Sequence, residues 1–492
     1  MSGRLRRLGL TMAALLFPAV AAAHGFGRLY NLPVPFWLYA WGAASALLLS
    51  FLLVGYFAAA PTGSAPPAAS RDLSHSGTAR ALRRALPALR LLSLLLLLLC
   101  IATGLFGNRD PYRNFSMTFF WVVFALGGTY LTALVGDFYA ALNPWRVMTA
   151  TLGRLWHGYG RGRLRYPEQL GDWPALALYL GFIWFELFGH GKPFSLAAML
   201  LGYSAINLLG VGLVGTRAWF RHGEFFALFL RLTGLLAPLD CRAAEAAGER
   251  GRLGLRLPFA GLLQQRPEHL SAVVFVLAML STTAFDGLRA TQWWVRLFWA
   301  DPTGLVTALA GSRPMLAYAA LRPWYIAWET LWLLAAPFAY FGAYLACLLL
   351  ARRLAGSSRP LRELALDFGY SLLPIALVYH LTHYATLILT QGRKLVSLAS
   401  DPFGWDWDLF GTALLFRAPF LPGMGVVWHA QVGLILCGHI ASVYLAHRIA
   451  LRVLPTRRQA LLSQLPMLVL MVALTVAGLW ILAQPLTVER MR

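Results

Sequence analysis

Long runs of Leu, Ala, Val and Phe alternate with short polar stretches along the whole chain. Apolar segments lie at about 37–59, 91–106, 115–135, 174–188, 195–215, 269–285, 326–350, 368–390, 426–447 and 466–483. Several approach the ~20 residues needed to cross the hydrocarbon core of a bilayer; 91–106, 174–188 and 269–285 are the short ones. In lipid only helices and closed barrels satisfy every backbone group, and unbroken apolar runs mean helices. The pattern predicts an all-α, polytopic transmembrane helix bundle of about ten spans. Ahead of it, Arg4, Arg6 and Arg7 precede an apolar run from Leu8 to Val20 and the small residues Ala21, Ala22 and Ala23. That is the form of an export signal. Cleavage after Ala23 makes 1–23 a signal peptide and 24–492 a single transmembrane domain, with both ends outside and His24 as the new amino terminus.

With 59% hydrophobic and 13% charged residues, the chain is not an ordinary soluble enzyme, a disordered tail or a secreted disulfide scaffold. Its formal charge is +22, but the basic residues are unevenly placed. Of 42 Lys and Arg, 26 fall in the segments this topology makes cytoplasmic and 13 in the external ones, the rest being in the leader. The positive-inside bias accounts for that split, so the charge reports topology. No clustered basic face with interleaved aromatics suggests nucleic acid; the expected partners are the lipid bilayer and a small-molecule substrate. The four cysteines lie in spans or the cytoplasmic side, so no structural disulfide is expected. Residues 61–70 read as a flexible linker, and Phe225 to Leu236, interrupted by Arg231, as an interfacial helix. The external strings WWVRLFWA (293–300) and DPFGWDWDLFG (401–411) read as interface belts or as a lid over an outward-facing cavity.

Ionisable side chains inside spans are costly, and each needs a partner. Glu186, Asp286, Glu329, His380, His383 and His429 fall toward the outer ends of their spans, His439 near mid-membrane and His447 at the inner end, where an interfacial anchor is expected. His380 and His383 are three apart on one helix face. Imidazoles converging with carboxylates in a bundle suit a divalent transition metal, zinc being favoured over copper. On this reading His380, His383, His439, Asp286, His429 and His24 are metal ligands, and Glu186 or Glu329 is the general base for attack by metal-bound hydroxide. The same groups fit other functions: a proton relay in a transporter, metal handling or assembly of an exported partner, or a b-type haem held by His380 and His439.

The strings AHGFGRLYNLPVPFWLY (23–39), DFYAALNPWR (137–146), DPFGWDWDLFG (401–411), VGLILCGHIASVYLAH (432–447) and LPMLVLMVALTVAGLWILAQP (465–485) resemble a family of bacterial polytopic membrane proteins described as fenitrothion hydrolase-like. The resemblance implies hydrolysis of an aryl organophosphorus triester by an enzyme of the bacterial inner membrane. It carries no site residues, and composition and spacing by themselves point to no triester chemistry.

Overall fold

The computed structural model describes residues 34–57, 71–189, 191–242, 251–416 and 418–484. The expected signal peptide, His24 and the linker 61–70 lie outside them. Helices dominate: α1 (Phe36–Phe57), α2 (Gly77–Phe106), α3 (Phe115–Val135), α4 (Pro144–Leu155), α5 (Trp173–Phe188), α6 (Pro193–Val214), α7 (Phe225–Gly234), α8 (Leu270–Arg289), α9 (Gln292–Trp299), α10 (Tyr318–Leu354), α11 (Leu373–Gln391), α12 (Met424–Val453) and α13 (Arg457–Ala483). Among the described residues nine helical segments are long and apolar enough to cross a membrane. The chain is a multi-pass, all-α membrane protein. The remaining expected span, 174–188, is α5, whose 16 residues rise only about 24 Å.

Local sequence sets several of the ends. Ser76 accepts from Ala79 N at 3.1 Å to start α2, and Thr456 accepts from Gln459 N at 3.2 Å to start α13. Asn143–Pro144 stops a short helix over Tyr139–Leu142 and starts α4, with Pro144 in the first turn and the Asn143 side chain accepting from Arg146 N at 3.1 Å. Gly136 (φ 86°) turns the chain out of α3 so closely against Leu239 that a Cβ would lie 2.5 Å from its carbonyl oxygen. Among the described residues the strands form one small antiparallel sheet, in the order Arg71–Asp72, Arg252–Leu255, Leu239–Arg242.

Helix α8 is the hub. Most of its apolar window (89%) is buried, against 11% for α2 at the periphery. A helix apolar all round belongs inside a bundle, and α8 packs on α5, α10, α11 and α13. Helix α7 differs from expectation. Phe225, Phe226, Leu228, Phe229, Leu230, Leu232, Thr233 and Gly234 are all buried, whereas an interfacial helix would leave one face to water. It turns inward, packing against α3, α5 and α11.

The 401–411 loop is tied to the α2–α3 link. Asn108 N donates to Phe403 O at 2.7 Å, Phe115 N to Pro402 O at 3.1 Å, and Arg113 pairs with Asp406 at 2.5 Å. Its rings stack on each other, Phe403 on Trp405 at 4.5 Å. Trp294 in the 293–300 string instead stacks on Trp328 of α10 at 4.5 Å and is buried.

Candidate functional site: an aromatic cavity above a buried carboxylate

Residues toward one end of α3, α5, α8 and α11 surround a cavity of about 170 Å³ whose floor is α7. Its wall is aromatic: Trp121 stacks on Phe182 at 5.3 Å, and Phe182 meets Phe225 and Phe226 at 5.0 and 5.4 Å. Pro111, Tyr112, Gly189, Gly191 and Lys192, from the α2–α3 and α5–α6 links, line the mouth. Below the mouth, the polar lining is Thr118, Tyr179, Glu186, Thr282, Thr283, His380, Tyr384 and Gln391. A mainly apolar cavity with a few placed polar groups is the usual form of a small-molecule site. The wall contributed by α3 is a ten-residue π-helical stretch, Thr118–Gly127. Such wide turns recur at functional sites, because they shift side chains out of helical register.

The expected site residues divide here. Asp286 accepts from Tyr384 at 3.0 Å and pairs with His383 Nε2 at 2.8 Å. Tyr384 thereby joins the cavity to the carboxylate behind it. His380 also lines the cavity, with its Nδ1 3.1 Å from the Tyr130 hydroxyl, and its ring lies 4.9 Å from that of Tyr384. Glu186 lines the same cavity. The structure thus gathers four of the expected groups, Glu186, Asp286, His380 and His383, around Tyr384.

The others are elsewhere. Glu329, 1% exposed, accepts from Arg289 at 3.3 and 3.1 Å and from Trp294 Nε1 at 3.2 Å. A carboxylate held in a buried ion pair is not a free base, and it lines no part of the cavity. His429 is exposed, with Nδ1 on Gly425 O at 2.7 Å and Nε2 3.5 Å from the Tyr39 hydroxyl. His439 packs against Tyr379 at 5.8 Å, with Nδ1 on Ile435 O at 2.8 Å. Tyr379 and His380 are neighbours about 100° apart on α11, so His439 and His380 sit toward different faces and do not oppose each other across a haem. His447 is fully buried, its Nδ1 3.0 Å from Gln464 Nε2, and so is no interfacial anchor. Among the described residues no group of three or more His, Cys, Asp or Glu side chains is arranged to hold a metal ion. Among the described residues the expected metal set is therefore not assembled.

Beneath the floor lies a group that the span pattern missed. Glu224, fully buried, caps α7 by accepting from Phe226 N at 3.1 Å and Ala227 N at 2.7 Å, and it also accepts from Asn143 Nδ2 at 3.1 Å and from the Tyr203 hydroxyl. Tyr203 is ten residues into α6, so the carboxylate lies about 15 Å along that helix from Pro193, near its middle. Its only signal in the sequence is an acidic residue directly ahead of FFALFL, the position of a helix cap.

Comparison with family models, with curated proteins and with solved structures returns no match for this chain.

Proposed function

We propose that the protein is a proton-coupled transporter of a small, flat, largely apolar molecule carrying one polar group, held here with its site open to the outside. The bacterial inner membrane, with the cavity facing the periplasm, is the location that fits the charge bias and the family resemblance. One observation carries the reading. The aromatic cavity is lined by Phe225 and Phe226, whose rings lie 4.0 Å apart, and the buried Glu224 precedes them in the chain and caps their helix. Alternating access needs polar groups on both sides of a thin gate, at a helix broken within the membrane, and α7 with Glu224 meets that need. The Tyr384–Asp286–His383 cluster supplies a proton acceptor in contact with the cavity, where protonation is linked to binding.

The test is uptake by full-length protein in proteoliposomes, using a panel of small aromatic esters, phenols and amines with acid outside. Uptake of at least one class is expected, collapsing when a protonophore is added or when Ala125→Phe fills the cavity. No gradient-dependent uptake of any class would overturn the proposal.

A second reading has one observation in its favour. Asp286 orients the His383 imidazole as a general base is oriented, which keeps ester hydrolysis of the kind implied by the family resemblance in view. Product phenol appearing from an aryl phosphotriester without any gradient, and lost in His383→Gln, would favour it over transport.

A further inference from the structure

The link between α4 and α5 is charged in one sense only. Between Asp137 and Glu168 the chain has no acidic residue, yet Arg154, Arg161, Arg163 and Arg165 fall within twelve positions. All four are exposed, and among the described residues none of them makes an ion pair or a side-chain hydrogen bond. Apolar residues are interleaved with them and equally open: Leu155, Trp156 and Leu164 are 80%, 58% and 62% exposed. A fixed cluster of cations with no carboxylate among them attracts an anion from outside the chain.

The cluster is held in place by the end of α6. Arg163 N and Leu164 N both donate to Leu213 O, at 2.8 and 2.7 Å. The Tyr159 hydroxyl donates to Leu208 O at 2.5 Å, and Thr216 Oγ1 to Gly160 O at 3.3 Å. Gly162 (φ 76°) passes so close to the end of α6 that a Cβ would lie 2.4 Å from Gly215 N. The arginines are thereby fixed beside the last turns of a helix long and apolar enough to cross the membrane. On those turns Leu209 and Leu213 are 66% and 48% exposed, and on a span such residues face acyl chains. The basic loop sits where the lipid-facing side of α6 ends, at the level of the headgroups.

We infer that this loop is a docking surface for anionic phospholipid in the leaflet at that end of α6. The guanidinium groups donate to headgroup phosphate, whose oxygens accept in pairs. Leu155, Trp156 and Leu164 enter the boundary between headgroups and acyl chains, as apolar residues beside basic ones do at membrane surfaces. Nucleic acid fits the charge but not the place. A loop level with lipid, its open apolar residues mostly aliphatic, offers little on which bases could stack. The inference is independent of what the cavity carries.

Native mass spectrometry of the full-length protein, released from nanodiscs of equal parts phosphatidylglycerol and phosphatidylcholine, reads the preference. Wild type is expected to retain phosphatidylglycerol over phosphatidylcholine. That ratio should fall at least about fivefold in a triple variant, Arg161→Gln, Arg163→Gln and Arg165→Gln, since each basic residue near an anionic surface contributes by about that factor. A variant with the same charge loss elsewhere, at Arg353, Arg362 and Arg458, is expected to keep the ratio within about twofold. An equal fall in both variants, or none in the first, overturns the inference. Quenching of tryptophan fluorescence by lipid brominated on its acyl chains gives a second reading that leaves the arginines intact. The share of the signal lost in Trp156→Phe is expected to be quenched more by brominated phosphatidylglycerol than by brominated phosphatidylcholine. Equal quenching by both, or by neither, overturns the docking surface. A short RNA that binds wild type and not the triple variant, with no preference between the lipids, would assign the surface to nucleic acid instead.

Discussion

Two buried polar regions are built in opposite ways. At the foot of the cavity, Glu224 meets two backbone amides, the Asn143 amide and the Tyr203 hydroxyl. Along α12, four polar atoms meet nothing from the protein. The first is a closed network that fixes where α7 starts; the second is a row of atoms that no other protein group among the described residues meets. Burial alone does not separate the two, since Glu224 is 0% exposed and the four α12 residues, Trp428, His439, Ser442 and His447, lie between 0% and 4%. Hydrogen-bond accounting does, and it predicts opposite responses to removing the polar group.

The largest effect is expected at Glu224. Glu224→Ala strands four donors, and breaking such a network costs about 3–5 kcal/mol. Folded protein in detergent, followed by size exclusion and thermal unfolding, should fall sharply. Glu224→Gln keeps an acceptor and should lose about 1–2 kcal/mol. A Glu224→Ala protein as stable as wild type would break the comparison at its stronger end.

Next is Asp286. Asp286→Asn keeps the shape and an acceptor for Tyr384, so a loss of about 1 kcal/mol in stability is expected. Its effect on function should be far larger, with gradient-dependent uptake lost while binding of a fluorescent aromatic compound in the cavity persists. Equal loss of both would mean that Asp286 holds the site together rather than handling a proton.

On α12 the sign should reverse. Replacing an unsatisfied buried group with an apolar one of similar shape is neutral or stabilising, so His439→Leu is expected to shift unfolding by less than about 1 kcal/mol, or upward. His383→Leu, which removes the partner of Asp286, should cost about 3 kcal/mol or more. If His439→Leu proved as damaging as His383→Leu, the two regions would not differ as argued.

The sequence made the bundle legible because the cost of unpaired backbone in lipid allows few alternatives to a helical run of apolar residues. Depth was legible too: Asp286, His383 and His380 do gather near one end of the bundle, around Tyr384. What depth could not give is angle. His439 lies on α12 with its ring against Tyr379, and whether that face meets His380 depends on how α11 is rotated among its neighbours. Glu329 looked like a free carboxylate because its partner Arg289 is 40 residues away. Helix α7 was misplaced because a ten-residue apolar run has the same composition at an interface as under a cavity. The π-helical wall at Thr118–Gly127 is a matter of backbone pairing, which hydropathy does not record.

The smallest expected effect lies outside the bundle and contrasts an exposed carboxylate with the buried ones. Asp408 accepts from Ala413 N at 3.0 Å and from Ser400 Oγ at 2.8 Å, and these bonds hold its carboxyl below the usual aspartate range. A depressed folded-state pKa contributes order that is complete above the unfolded value near ~3.9 and is lost as pH falls through the lower folded value. The 400–413 loop should therefore keep its packing at pH 5 and loosen only in stronger acid. Trp405 and Trp407 lie 5.2 Å apart in that loop and report on it. Their fluorescence, measured in a variant with the cavity tryptophan replaced (Trp121→Phe), should be flat from pH 7 to 5 and change below ~4. Asp408→Asn should remove that acid step, since the side chain can no longer titrate. A step that remains in Asp408→Asn would show that Asp408 does not carry it.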